Sequence, residues 1–178
     1  MLRRLLPAVL AGALLAACGG PAIEDFQDTE PRFVPEEYFP GQTRVWGIFQ
    51  DRFGKVRRQF VVDIDGHWDG EVLTLEEDFR FDDGETTQRT WRIRKLADGR
   101  YEATAGDVIG TGTATALGQA FNLNYDIELP IGDDTWQVRF DDWLLLQPDG
   151  VVINRAYVSK FGFRIAEMTA FFRKLDPE

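Results

Sequence analysis

Six ionisable side chains interrupt otherwise apolar alternation in this chain. Arg58 lies between Val56 and Phe60, and Glu77 between Leu75 and Phe79. Arg89 precedes Trp91 and Ile93, and Asp142 lies between Phe140 and Leu144. Arg155 lies between Ile153 and Tyr157, and Glu167 between Ile165 and Thr169. If residues of one parity share an interior, all six point into it. Isolated buried charges are too costly, so they must meet. Hairpin arithmetic predicts how. A three-residue loop Asp82-Asp83-Gly84, with Gly84 left-handed, sets Phe81 opposite Glu85 and Glu77 opposite Arg89. A four-residue loop Gln147–Gly150 sets Leu146 opposite Val151 and Asp142 opposite Arg155. Two chemistries remain open. The charges are interior ion pairs that fix strand register, or they form a polar patch that orients the head group of an apolar ligand.

Other chemistry finds little support. His67 is the sole histidine and Cys18 the sole cysteine, too few for the ligand sets of most zinc sites. Ser159 is the only serine and lies far along the chain from His67, a poor start for a Ser–His nucleophile. Gly110-Thr111-Gly112 sits in a strand-like run without a following helix, so it is no phosphate loop. No metal and no cofactor are expected. Adjacent acids such as Asp141-Asp142 keep a carboxylate-dependent hydrolase open, although acids in an acidic chain are mostly solvated.

These side chains need strands to position them, and the pattern supplies strands. Phe60, Val62 and Ile64 share one parity with Val56. Leu73, Leu75, Phe79 and Phe81 form a second set, Phe121 to Leu129 a third, and Trp136 to Leu146 a fourth. Asp-Gly and Pro-containing turn signals separate the runs. The expected fold is all-β: an antiparallel up-and-down barrel of about eight to ten strands, lipocalin-like (calycin), because closure removes exposed edges. A two-sheet sandwich is the alternative. Val108–Ala116 is read as a strand of small residues that either leaves room in the lumen or marks a bend. Phe161–Leu175 fits a helix or a strand, and the strand with Phe161, Phe163, Ile165, Thr169 and Phe171 inward is preferred.

The N-terminus carries a different message. Arg3 and Arg4 precede an apolar run, Leu5 to Ala17, shorter than the roughly 20 residues a membrane-spanning helix needs. That is the layout of a secretion signal. Leu15-Ala16-Ala17-Cys18 resembles the bacterial lipobox. The resemblance implies cleavage before Cys18, acylation of its thiol, and with Gly19 following, an outer-membrane address facing the periplasm. The expected organisation is a signal peptide over residues 1–17, a lipidated N-terminus and Pro- and acid-rich tether over 18–43 with a turn of helix near Pro35–Phe39, and a barrel over 44–178. The net charge of −10 becomes −12 once Arg3 and Arg4 leave, since no acid leaves with them. Such a charge repels phosphate backbones and argues against nucleic-acid partners.

Several runs are shared with a known family: Trp46-Gly47-Ile48-Phe49, Leu75-Glu76-Glu77-Asp78-Phe79, Arg89-Thr90-Trp91, Phe140-Asp141-Asp142-Trp143 and Asn154-Arg155-Ala156. They resemble a proteobacterial lipoprotein family described only as a domain of unknown function (type 3833). The resemblance spans nearly the whole chain and brings no established activity. Members are often encoded near fatty-acid-modifying enzymes, which implies lipid handling. The expectation is an envelope lipoprotein, held to the membrane through Cys18, whose barrel takes a lipid or fatty acid. Arg58, Glu77, Arg89, Asp142, Arg155 and Glu167 would form its interior polar network. A scaffold with a filled core and exposed tryptophans, or a carboxylate-dependent enzyme, are the alternatives.

Overall fold

The computed structural model describes residues 20–131 and 134–175. The proposed signal peptide and Cys18 lie outside the described residues. Ten antiparallel strands follow one another around a closed barrel: β1 Gly41–Asp51, β2 Val56–Trp68, β3 Val72–Phe81, β4 Thr86–Lys95, β5 Arg100–Thr104, β6 Gly112–Leu117, β7 Ala120–Ile131, β8 Asp134–Leu146, β9 Val152–Lys160 and β10 Phe163–Lys174. β1 pairs with β10, so the barrel has no free sheet edge between first and last strand. The up-and-down order is the expected one, and closure rules out the two-sheet sandwich. The buried face of each strand follows from hydrophobic alternation: Phe60, Val62, Ile64, Leu73 and Leu75 are buried inward, as are Phe121, Leu123, Ile127 and Val138.

Register confirms one hairpin and corrects another. Glu77 stands opposite Arg89, and Phe81 N donates to Glu85 O at 2.9 Å around a turn whose Gly84 has φ +89°. The β8–β9 turn has the same three-residue form. Gln147 N donates to Val151 O at 2.8 Å, and Gly150 has φ +81°. Pro148 and Asp149 fill the first two loop positions. Leu146 therefore pairs with Val152, Asp142 with Ala156, and Trp143 with Arg155. A one-residue slip flips every side chain to the other face. Arg155 turns outward, and Val152, Asn154, Ala156 and Val158 take the buried face.

The last segment is a strand, as preferred, with the opposite face inward. A bulge between Arg164 and Ala166 adds one residue against β9. Met168 and Phe172 then line the interior and Ala170 is buried there, while Glu167 points outward. The run Val108–Ala116 is strand only from Gly112 onward. Gly110 sits in the preceding loop at φ +69°.

The expected tether is also different. Residues 20–40 fold back over the end of the barrel where β2–β3, β4–β5, β6–β7 and β8–β9 turn, and Phe33 N donates to Gly118 O of the β6–β7 turn at 2.7 Å. A 3-10 turn at Ile23–Phe26 and the short helix α1, Pro35–Tyr38, lead into β1, which begins at Gly41 rather than Arg44. Phe33 and Phe39 are 2% exposed and close this end beneath Phe121 and Phe172. Tyr38 donates from its hydroxyl to Gly150 O at 3.1 Å. Glu36 is buried with Lys95 and with the Tyr101 hydroxyl, which donates to it at 2.9 Å. Trp143, on the outer face of β8, is buried under Phe26.

Candidate functional site

The barrel is hollow. A cavity of about 740 Å³ occupies it, lined by apolar side chains that include Phe49, Phe60, Phe79, Phe121, Phe140 and Met168. Tyr125 stacks on Phe140 with ring centroids 5.0 Å apart, and Trp91 meets Tyr125 edge-on at 5.1 Å. Inward positions on β6 carry Gly112 and Ala114, small residues buried against the wall. A Cβ on Gly112 would come within 3.0 Å of the Tyr125 Cβ.

Four polar side chains reach this apolar space together: Glu77 from β3, Arg89 from β4, Asp142 from β8 and Asn154 from β9. Arg89 lies over two aromatic rings, its guanidinium carbon 4.2 Å from the Trp91 ring centre and 5.4 Å from that of Tyr125. Its Nε is 3.0 Å from Asp107 Oδ1. That is an ion pair, but its angle leaves Nε and Nη2 without a well-formed hydrogen bond among the described residues. Asn154 Nδ2 donates to Asp142 Oδ1 and, at 2.9 Å, to Trp143 O, leaving Asn154 Oδ1 unpartnered.

Burial sets the protonation of the two acids. The low-polarity interior pushes Glu77 up from 4.5 to about 7, against the opposing pull of Arg89. Burial likewise raises Asp142 from 3.8 to about 6, offset in part by the Asn154 amide and Arg89. Glu77 lies deep in the barrel yet keeps some accessible surface, because it faces the hollow rather than packed neighbours. Burial also raises the Tyr125 hydroxyl, so it stays neutral.

Of the six charges singled out by sequence, three form this cluster: Glu77, Arg89 and Asp142. Arg58 has the expected parity but sits at the rim. It spans the Phe81 ring at 3.5 Å and bonds Asp83 and Glu85 at 2.9 and 2.6 Å. Arg155 and Glu167 pair with each other at 2.9 Å on the outer wall. Sequence reasoning does not find Asn154 or Asp107, and it places Tyr125 on the inward face of β7 without a polar role. Asn154 follows from the corrected β8–β9 turn, whereas no local pattern marks Asp107, which reaches Arg89 from a loop.

Between β4 and β7 the cavity reaches the barrel wall, where loop residues Gly106 and Asp107 join its lining. β5 and β6 are short: β5 pairs only with Arg92–Lys95 of β4, and β6 only with Ala120–Asn124 of β7. Beyond them Thr86–Trp91 and Tyr125–Leu129 face one another across a window. The loop 105–111 spans it, held by Ile109 N donating to Asp126 O at 2.8 Å. Gln88, Thr90, Gly106 and Asp107 line the cavity at this window.

A closed antiparallel barrel around a hollow, apolar lumen with a few converging polar groups defines the calycin-like class. Residues 12–174 match the family described as Protein of unknown function (DUF3833), and the chain belongs to that family. Its fold is similar to that of the S-type phycobiliprotein lyase CPES from Guillardia theta, with a TM-score of 0.60 over 83% of this chain and 96% of that chain, at 11% identity. That likeness concerns the fold alone. No curated protein matches the chain in sequence.

Proposed function

We propose that this protein is a lipid-anchored bacterial envelope lipoprotein, tethered through acylated Cys18 on the periplasmic side of the outer membrane, whose barrel binds an apolar or amphipathic ligand such as a lipid or fatty acid. The hollow carries this reading. A volume of about 740 Å³ is within the usual range for small-molecule sites, and its aromatic lining with few polar groups has their usual make-up. A scaffold role implied a filled core, which the hollow does not provide. Native mass spectrometry of the full chain exposed to envelope lipid extract tests the reading. Retention of a lipid-sized mass is expected; a chain that stays ligand-free across lipid classes overturns it. The anchor is tested separately: labelled palmitate should enter the wild-type chain and not Cys18→Ser.

One observation favours a second reading, a carboxylate-dependent enzyme. Glu77 and Asp142 are held near 7 and 6, where a buried acid can give or take a proton near neutral pH. Glu77→Gln and Asp142→Asn should abolish any turnover on that reading. Under ligand binding alone they change only affinity and stability.

A further inference from the structure

Among the described residues, Arg89 is the one lumen charge that cannot be relieved by proton transfer, because a guanidinium does not lose its proton in proteins. Its partner is unusual for so deep a cation. Asp107 comes from the loop 105–111 that spans the window, and its side chain is 42% exposed against 18% for Arg89. The pair is close but poorly aligned, and two guanidinium nitrogens lack a formed hydrogen bond among the described residues. Arg89 therefore stands where window and lumen meet, with a carboxylate on its outer side and apolar space beyond the Trp91–Tyr125 ring pair.

We propose that the lumen's ligand is an anionic amphiphile, a monocarboxylate with an apolar tail, whose carboxylate replaces that of Asp107 on Arg89 at the window between β4 and β7 while its tail fills the barrel. This rests on the ligand-binding reading above and adds the head-group class and the entry point. A carboxylate can engage a guanidinium with two parallel hydrogen bonds, which Asp107 does not achieve. An ammonium head would be repelled by Arg89, and a hydroxyl would leave its charge unmatched.

The groups facing Arg89 give the binding a pH dependence. They are Glu77 of β3, Tyr125 of β7, Asp142 of β8 and Asp107 of the loop. Burial raises Glu77 and Asp142, so near pH 6 Glu77 is largely protonated and Asp142 partly so, and Arg89 is left for the ligand. At higher pH both ionise and repel an incoming anion.

The test displaces the neutral dye N-phenyl-1-naphthylamine from the full chain, in a fixed concentration of maltoside detergent, with decanoate, decanol or decylamine. Decanoate should compete about tenfold better than decanol, the scale of one charge-assisted hydrogen-bond pair. That preference should vanish in Arg89→Met with decanol unchanged, which also shows that the variant is folded. Asp107→Asn should improve decanoate several-fold, and this arm decides the matter if Arg89→Met does not fold. Raising the pH from about 6 to about 8 should weaken decanoate and leave decanol alone. Decanol or decylamine equal to decanoate, or a preference that survives Arg89→Met, overturns the carboxylate assignment and leaves the lumen as a ligand site. If the dye does not bind, or none of the three displaces it, the ligand-binding reading itself fails.

Discussion

Glu77 and Asp142 illustrate how burial, not partner charge, sets protonation inside this barrel. Burial raises Glu77 from 4.5 to about 7, so the folded state holds its proton more tightly than the unfolded chain. Stability from this acid is present at low pH and is lost as pH rises through that window. Melting followed between about pH 5 and about pH 8 should show the wild type losing stability that Glu77→Gln retains, a difference on the order of 2 kcal/mol. Asn154 and Arg155 are neighbours with opposite consequences. Asn154→Ala removes the amide donor to buried Asp142 and should cost about 1–3 kcal/mol in chemical denaturation. Arg155→Ala breaks only an outer-wall pair with Glu167 and should cost less than about 1 kcal/mol, with ligand affinity intact. Glu77 and Arg89 were legible because an Asp-Asp-Gly turn announces its own geometry. Asp142 was legible as inward, but its partner was not.

Among the elements, the N-terminal segment depends on glycine at two close approaches. A Cβ on Gly66 of β2 would lie 2.1 Å from the carbonyl oxygen of Phe39, and one on Gly118 would lie 1.8 Å from that of Phe26. Backbone cannot yield as a side-chain tip can. Gly66→Ala should therefore push the segment off the barrel, costing at least about 2 kcal/mol, with faster proteolysis within residues 20–40 as the readout. Sequence reading took this segment for a tether because prolines and acids look solvated, and because Phe33 and Phe39 carry no period of their own. The turn after Leu146 misled for a related reason. Three- and four-residue loops both suit Pro148-Asp149-Gly150, and only pairing with a neighbour separates them.

As a whole, the molecule is a wall of ten strands with one end shut by its own N-terminal segment and a side window left by two short strands. A ligand that fills the hollow binds the folded state alone, so saturation at about a hundred times its dissociation constant should add about 2.7 kcal/mol to unfolding. Thermal melts with and without a retained lipid check this. Alternation of apolar and polar residues sufficed, from sequence alone, for strands and for which residues of β2, β3, β7 and β8 face inward, since each depends on neighbours two positions apart. The choice of a closed barrel over a two-sheet sandwich rests instead on the long-range pairing of β1 with β10. Tertiary structure alone decided the phase of β9 and β10, where both faces carry apolar side chains: Ile153 and Tyr157 on one side, Val152, Ala156 and Val158 on the other. There the choice falls to the loop, the bulge and the strands already in place. It decided the hollow too, because an enclosed volume depends on side chains from strands far apart in the chain, and no local pattern records what they fail to fill.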